Sequence, residues 1–132
     1  MENQIPRPVL DGDSKPFWEA VQRKELLIKQ CGDCHQHIFY PRSICPHCFS
    51  DNVKWVSSSG RGRIYSYTVV HRAYGPFRGQ TPFVVALVDL EEGVRMMTRI
   101  QGDREKVAID LPVRVTFEQV DEELTLPYFE LV

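Results

Sequence analysis

Apolar positions change their spacing along the chain, and the changes divide it into three stretches. In residues 13–21, Phe17, Ala20 and Val21 recur at helical spacing, with Trp18 beside them. Asp13 or Ser14 can cap the free backbone N–H groups, and Pro16 is tolerated in the first turn. A short helix is predicted, too short to persist without tertiary contact. From Glu25 to Trp55 the pattern turns to brief apolar runs, Leu26-Leu27-Ile28, His37-Ile38-Phe39-Tyr40 and the start of Val53-Lys54-Trp55-Val56, separated by two polar turns. Beyond Gly60 a period of two dominates. Ile64, Ser66, Thr68 and Val70 share one face, with Tyr65, Tyr67, Val69 and His71 on the other. Residues 82–90 are almost continuously apolar and read as a strand buried on both faces. Glu91-Glu92-Gly93 supplies a hairpin turn, alternating runs follow around Val94–Ile100 and Val113–Phe117, and residues 124–129 suit a last strand.

The predicted protein is therefore mainly β, in three parts. Residues 1–24 form an arm and helix, 25–58 a strand-turn-strand-turn-strand ribbon, and 59–132 a five-stranded barrel of OB type. Closure of the barrel removes exposed strand edges. Ser57-Ser58-Ser59-Gly60 reads as a polar hinge between ribbon and barrel.

The two polar turns contain all four cysteines of the chain, as two C-x-x-C pairs: Cys31 and Cys34, then Cys45 and Cys48. Two residues between cysteines let both thiolates of a turn face one ion, and two such turns complete a tetrahedral four-sulfur shell. A closed shell leaves no position for substrate, so a structural role is expected. About thirty residues bury too little apolar area to fold unaided, and metal ligation supplies the difference. One structural zinc ion is the expected occupant, with a rubredoxin-type iron as the alternative the spacing does not separate. His35, His37 and His47 lie near the cluster; with four thiolates available they are expected at the surface or beside the ligands, with His35 and His47 facing solvent.

Composition adds limits. The chain has 132 residues, 42% hydrophobic and 26% charged, with a net charge of −2. Residues 1–102 carry thirteen Lys/Arg against ten Asp/Glu (+3), and residues 103–132 three against eight (−5). Neither part has the basic excess of a duplex-binding protein. The N-terminus lacks a basic start followed by an apolar core, and paired cysteines without such a signal favour metal ligation in a reducing compartment, so the cytoplasm is the expected location.

Catalytic patterns are absent from the sequence. It contains no G-x-S-x-G elbow, no phosphate-cradling glycine loop and no spare cysteine. His71 stands alone at a strand end, and Asp121-Glu122-Glu123 reads as a solvated acidic turn. Two segments instead suggest contact with something else. Phe17 and Trp18 on the helix pack inside the chain or dock on a partner. The stretch 71–81 joins Arg72 and Arg78 to Tyr74 and Phe77 with no acid among them. Arginine with aromatics suits either a phosphorylated nucleotide-like group or a protein interface. Arg63, Arg95 and Arg99 would add charge nearby if the barrel closes.

FWEA (residues 17–20), both C-x-x-C turns, GRGRIYSYTVVH (60–71), PFVVALVDL (82–90) and LPVRVTF (111–117) occur in one order. Together they resemble the acyl-CoA-associated OB-fold proteins with an N-terminal rubredoxin-like zinc ribbon, over residues 16–128. All four ligand positions are intact. The resemblance implies a non-catalytic accessory subunit of thiolase-superfamily enzymes, whose partner performs thiolysis, acyl transfer or retro-aldol cleavage on an acyl-CoA. It implies that helix, ribbon and barrel pack on that partner and help shape its acyl-CoA entrance, with the CoA moiety itself as a further candidate contact. Phe17, Trp18, Arg72, Tyr74, Phe77 and Arg78 are the expected contact residues. Some relatives accompany hot-dog-fold acyl-CoA hydratases instead. The alternative of another class is a single-stranded nucleic-acid-binding protein that stacks bases on Tyr65 and Tyr67.

Overall fold

A computed structural model describes residues 12–122 and 124–132. Helix α1, Lys15–Gln22, begins with proline in its first turn and buries Phe17, Ala20 and Val21. It ends where Lys24 takes a left-handed φ of 63°, while the N–H groups of Arg23 and Glu25 both close on the Ala20 carbonyl. Most of the predicted arm lies outside the described residues.

Strand β1, Leu27–Cys31, is the centre of a three-stranded antiparallel sheet, flanked by β2, His37–Ile38, and β3, Val53–Ser57. The barrel follows as β4, Arg61–Val70, β5, Phe83–Leu90, β6, Arg95–Gln101, β7, Pro112–Gln119, and β8, Thr125–Leu131. These close in the order β4-β5-β6-β8-β7. Gly62 makes the β4–β5 approach possible: a Cβ there would overlap the Asp89 carbonyl oxygen. The register slips between Ile64 and Ser66, so Tyr65 occupies a bulge on the outer wall.

β5 corrects one expectation. Only Val84, Ala86, Val88 and Leu90 are buried; Phe83, Val85, Leu87 and Asp89 are half-buried on the outside. A barrel wall has a single interior, so an almost continuous apolar strand leaves alternate side chains facing outward.

The segment expected to be a hinge is bound on three sides. Ser57 Oγ donates to Glu25 at 2.7 Å, Ser58 Oγ and Ser59 N–H donate to Glu92 at 3.0 and 2.7 Å, and Ser59 Oγ donates to Glu91 at 3.1 Å. Arg61 completes the junction with a 3.2 Å ion pair to Glu91. Carboxylates from the β5–β6 turn thus tie the linker to the barrel.

Ribbon and barrel also share a core. Phe17 and Val21 of α1 and Leu26 and Ile28 beside them join Ile64, Val88, Met96, Val113 and Phe129 in one buried cluster. A separate, much smaller cluster consists of Cys31, Ile38 and Cys45, with Cys34 and Val53 against it. The far end of the ribbon therefore has little apolar core besides its cysteines. Among the described residues no helix is long and apolar enough to cross a membrane.

Candidate metal centre and contact surfaces

The two cysteine turns are near copies of each other. In the first, Cys31 N–H donates to the Gln36 carbonyl and His35 N–H to the Cys31 carbonyl, both at 3.0 Å. In the second, Cys45 N–H donates to Ser50 and Phe49 N–H to Cys45, both at 2.8 Å. The residue after each second cysteine is left-handed, with φ of 66° at His35 and 65° at Phe49. Asp33 links the turns by accepting from Ser50 Oγ and from Asn52 Nδ2.

This duplication brings all four Sγ atoms within 4.8 Å of one another, with Cys31 to Cys48 at 3.6 Å and Cys34 to Cys45 at 3.7 Å. A tetrahedron with metal–sulfur bonds of about 2.3 Å has an edge of about 3.8 Å, so the spacing fits one tetrahedral ion. Cys31 and Cys45 are buried, Cys34 is half-buried and Cys48 exposed. The N–H groups of Cys34 and Asp33 hold the Cys31 thiol down to about 7, against desolvation. Although the Ser50 N–H points at its sulfur, the Cys48 thiol is pushed up to about 12 by desolvation and the crowding Cys31, Cys34 and Cys45 sulfurs. Full deprotonation of the set therefore calls for a cation, and the residues fit a resident metal. His35 and His47 are exposed, as expected; the sulfurs accept from the backbone N–H groups of Asp33, Cys34 and His47.

Phe17 is only 6% exposed, packed edge-on against Trp18 at 5.1 Å and near Phe39 at 5.9 Å. It is a core residue whose remaining surface faces a groove beside the helix. Trp18 lines the same groove, of about 530 Å3, with Phe39, Tyr40, Met97, Pro127 and Tyr128. The groove lies where the barrel seam is sparse, since β6 and β8 pair only at Ile100 with Phe129 and Gln101 with Glu130. Tyr40 Oη accepts the Met97 N–H there at 3.4 Å.

Within the stretch 71–81, residues Gly75–Gln80 form a 3-10 segment. Phe77 approaches Phe83 at 6.4 Å, while Arg72, Tyr74 and Arg78 are exposed, Tyr74 by 75%. Of the three barrel arginines expected to add charge, only Arg99 reaches this loop, donating to Gln80 Oε1. Arg95 forms a two-point pair with Asp89 at 2.6 and 3.2 Å and covers the Tyr65 ring at 3.5 Å. Arg63 donates to the Asp110 carbonyl at 2.9 Å. Arg99 was legible in principle: the Glu91-Glu92-Gly93 turn places it opposite Val85. Its Gln80 partner had no such signal.

A cysteine-turn ribbon packed on a closed five-stranded barrel defines the class, and comparison with known proteins gives the family. Residues 18–54 match the rubredoxin-like zinc ribbon domain of ChsH2, and residues 55–118 match its C-terminal OB-fold domain. The chain belongs to the DUF35 family, to which ChsH2 belongs. It is 38% identical to a "Probable enoyl-CoA hydratase alpha subunit" of Thermomonospora curvata over 94% of this chain and 39% of that protein. It is 34% identical to a DUF35 domain-containing scaffold protein of Methanocaldococcus jannaschii, covering 80% of this chain and 77% of the relative. The benzoylsuccinyl-CoA thiolase subunit BbsA of Geobacter metallireducens is 29% identical over 70% of this chain and 60% of its own length. Among solved structures, an Ltp2-ChsH2(DUF35) aldolase matches with a TM-score of 0.85 and 37% identity, over 95% of this chain and 98% of that one. The chain thus spans about two-fifths of the hydratase alpha subunit it matches.

Proposed function

We propose that this chain is a non-catalytic, zinc-binding accessory subunit that docks on a thiolase-superfamily acyl-CoA enzyme. The partner carries out the thiolysis, acyl transfer or retro-aldol cleavage, and this chain stabilises it and helps shape its acyl-CoA site. The observation that carries the reading is the near-complete match, 98% of the compared chain, to a component of an Ltp2-ChsH2(DUF35) aldolase. Relatives named as a scaffold protein and as a thiolase subunit support it. So does the closed four-sulfur site, because a shell of Cys31, Cys34, Cys45 and Cys48 has no open position for chemistry.

Zinc in that shell would supply folding energy and no redox step. The chain's own residues do the rest: Asp33, Ser50 and Asn52 hold the cysteine turns together, and Glu91 and Glu92 fix the ribbon on the barrel. Trp18, with Phe17 beneath it in the same groove, and Arg72, Tyr74, Phe77 and Arg78 are the surfaces offered to the partner, with the CoA moiety as a further candidate contact.

Purification from the host tests the proposal. A colourless complex with one zinc per chain and a thiolase- or aldolase-type enzyme at fixed ratio is expected. Recovery of the chain alone, beside an enzyme fully active without it, contradicts it. A red, iron-containing preparation contradicts the zinc assignment alone.

A hot-dog-fold hydratase as partner is the second reading. It is favoured by the relative named as an enoyl-CoA hydratase alpha subunit, of which this chain resembles only part. A hydratase at fixed ratio in the purified complex selects it.

A further inference from the structure

Barrel arginines fall into two groups. Arg61, Arg95 and Arg114 each reach a carboxylate, Glu91 at 3.2 Å, Asp89 at 2.6 Å and Glu130 at 2.8 Å. Arg63, Arg72, Arg78, Arg99 and Arg104 reach none among the described residues, Arg63 donating to the Asp110 carbonyl instead.

Apart from Arg63, which stands opposite Asp89 and Pro112, this group shares one end of the barrel. There β4 finishes with Val70 opposite Phe83, and β6 finishes at Gln101, one residue past the pair of Ile100 with Val84. Arg72 and Arg78 belong to the loop between β4 and β5, Arg99 stands on β6, and Arg104 opens the 3-10 turn after it. A cavity of about 380 Å3 opens beside Phe83, Arg99 and Arg104. Two carboxylates stand near: Asp103, which also lines the cavity, accepts the Glu105 N–H at 3.0 Å, and Glu118 accepts from Gln101 Nε2 at 2.6 Å; neither forms an ion pair with these arginines.

Arg99 sets the character of the place. Half-buried, it lies 4.3 Å from the Phe83 ring and 5.7 Å from the Tyr128 ring, and hydrogen-bonds the neutral amide of Gln80. A guanidinium partly withdrawn from water with no carboxylate bonded to it costs stability, which an incoming carboxylate recovers through charge-assisted hydrogen bonds. Its ring contacts hold it in position before anything arrives, so little side-chain freedom remains to be lost.

We infer that this end of the barrel receives an acidic peptide segment of the partner enzyme, with Arg99 as anchor and Arg72, Arg78 and Arg104 around it. The inference rests on the accessory-subunit reading and adds a location and a charge to it. Charge complementarity selects the occupant. Tyr74, exposed beside the arginines, adds the aromatic surface common at protein interfaces.

Two measurements test it: the association rate of the chain with its co-purified enzyme at rising NaCl, and NMR titration of the metal-loaded chain with hexaglutamate or pyrophosphate. R72E/R78E/R104E changes three exposed positions, and its amide spectrum checks that the fold is kept. Wild type should associate more slowly as salt rises, and the variant at least about 10-fold more slowly than wild type at low salt, with a flatter salt dependence. Hexaglutamate should shift amides in 72–83 and 99–104 of the wild type and leave the variant unchanged. A folded variant that associates at the wild-type rate and salt dependence overturns the inference and leaves the accessory role standing. Shifts with pyrophosphate but none with hexaglutamate overturn the peptide as occupant. A wild type that binds no co-expressed acyl-CoA enzyme overturns the accessory reading itself.

Discussion

Lys29 stands directly opposite Trp55 across the β1–β3 pair, with its ammonium 4.8 Å from the centre of that ring. The same nitrogen donates to the Arg42 carbonyl at 3.0 Å, although the residue is only 8% exposed. One buried cation thus pins the connection between the cysteine turns to the middle of the ribbon sheet. Lys29→Met keeps the stem and removes both contacts. It is expected to cost about 2 kcal/mol, read as a lower urea midpoint of the metal-loaded protein.

Removing the metal should act on the far half of the ribbon first. The small core there consists mainly of the cysteines themselves, whereas Leu26 and Ile28 are held by the barrel. After chelation, amide exchange should accelerate in residues 31–53 while β5 and β6 keep their protection. The same loss is expected for Cys45→Ser. Uniform protection before and after chelation would show that the metal contributes little to the ribbon.

At Gly62 the expected effect is steric. An added methyl group meets backbone at Asp89 and the Val88 side chain at 2.9 Å, neither of which yields without opening the β4–β5 pair. Gly62→Ala should destabilise the barrel by about 1–3 kcal/mol, measured by thermal unfolding. Gly79→Ala, where nothing lies within 4 Å, serves as the control and should be close to neutral.

The ribbon–barrel junction should be acid-sensitive. Hydrogen bonds from Ser57 and Arg23 lower the Glu25 carboxyl, and Arg61 and Ser59 lower that of Glu91, both from an ordinary 4.5. A carboxylate depressed on folding adds stability above its unfolded pKa and loses it as pH falls through the folded one. The wild type should therefore weaken below about pH 4.5. The double variant E25Q/E91Q should show a shallower loss across that window, followed by urea midpoints from pH 7 to 3.

Much of this architecture is legible in the sequence because local rules and the final fold agree. Phe17, Ala20 and Val21 at helical spacing became the buried face of α1, and the two C-x-x-C turns became duplicate metal turns. The alternation around Ile64 and Met96 marks the barrel interior directly, whereas the almost continuous apolar run of 82–90 hides which of its faces is inside. What escaped depends on partners distant along the chain. Three serines and a glycine carry no sign that Glu91 and Glu92 will fold back onto them. Arg95 reads as a free cation until Asp89 and Tyr65 are found beside it, and Arg99 until Gln80 is. Phe17 and Trp18 are adjacent in sequence, yet Phe17 is buried in the core while Trp18 is half-buried, and both line a groove built with Tyr40 and Tyr128.

The central claim is that this chain serves another enzyme's acyl-CoA chemistry. Its most direct test is a titration of the purified thiolase- or aldolase-type partner with the metal-loaded chain, following acyl-CoA turnover. Activity should rise and saturate at a fixed stoichiometry, while the chain alone turns over nothing. Full activity of the partner without the chain, together with no change in its size on addition, would contradict the account.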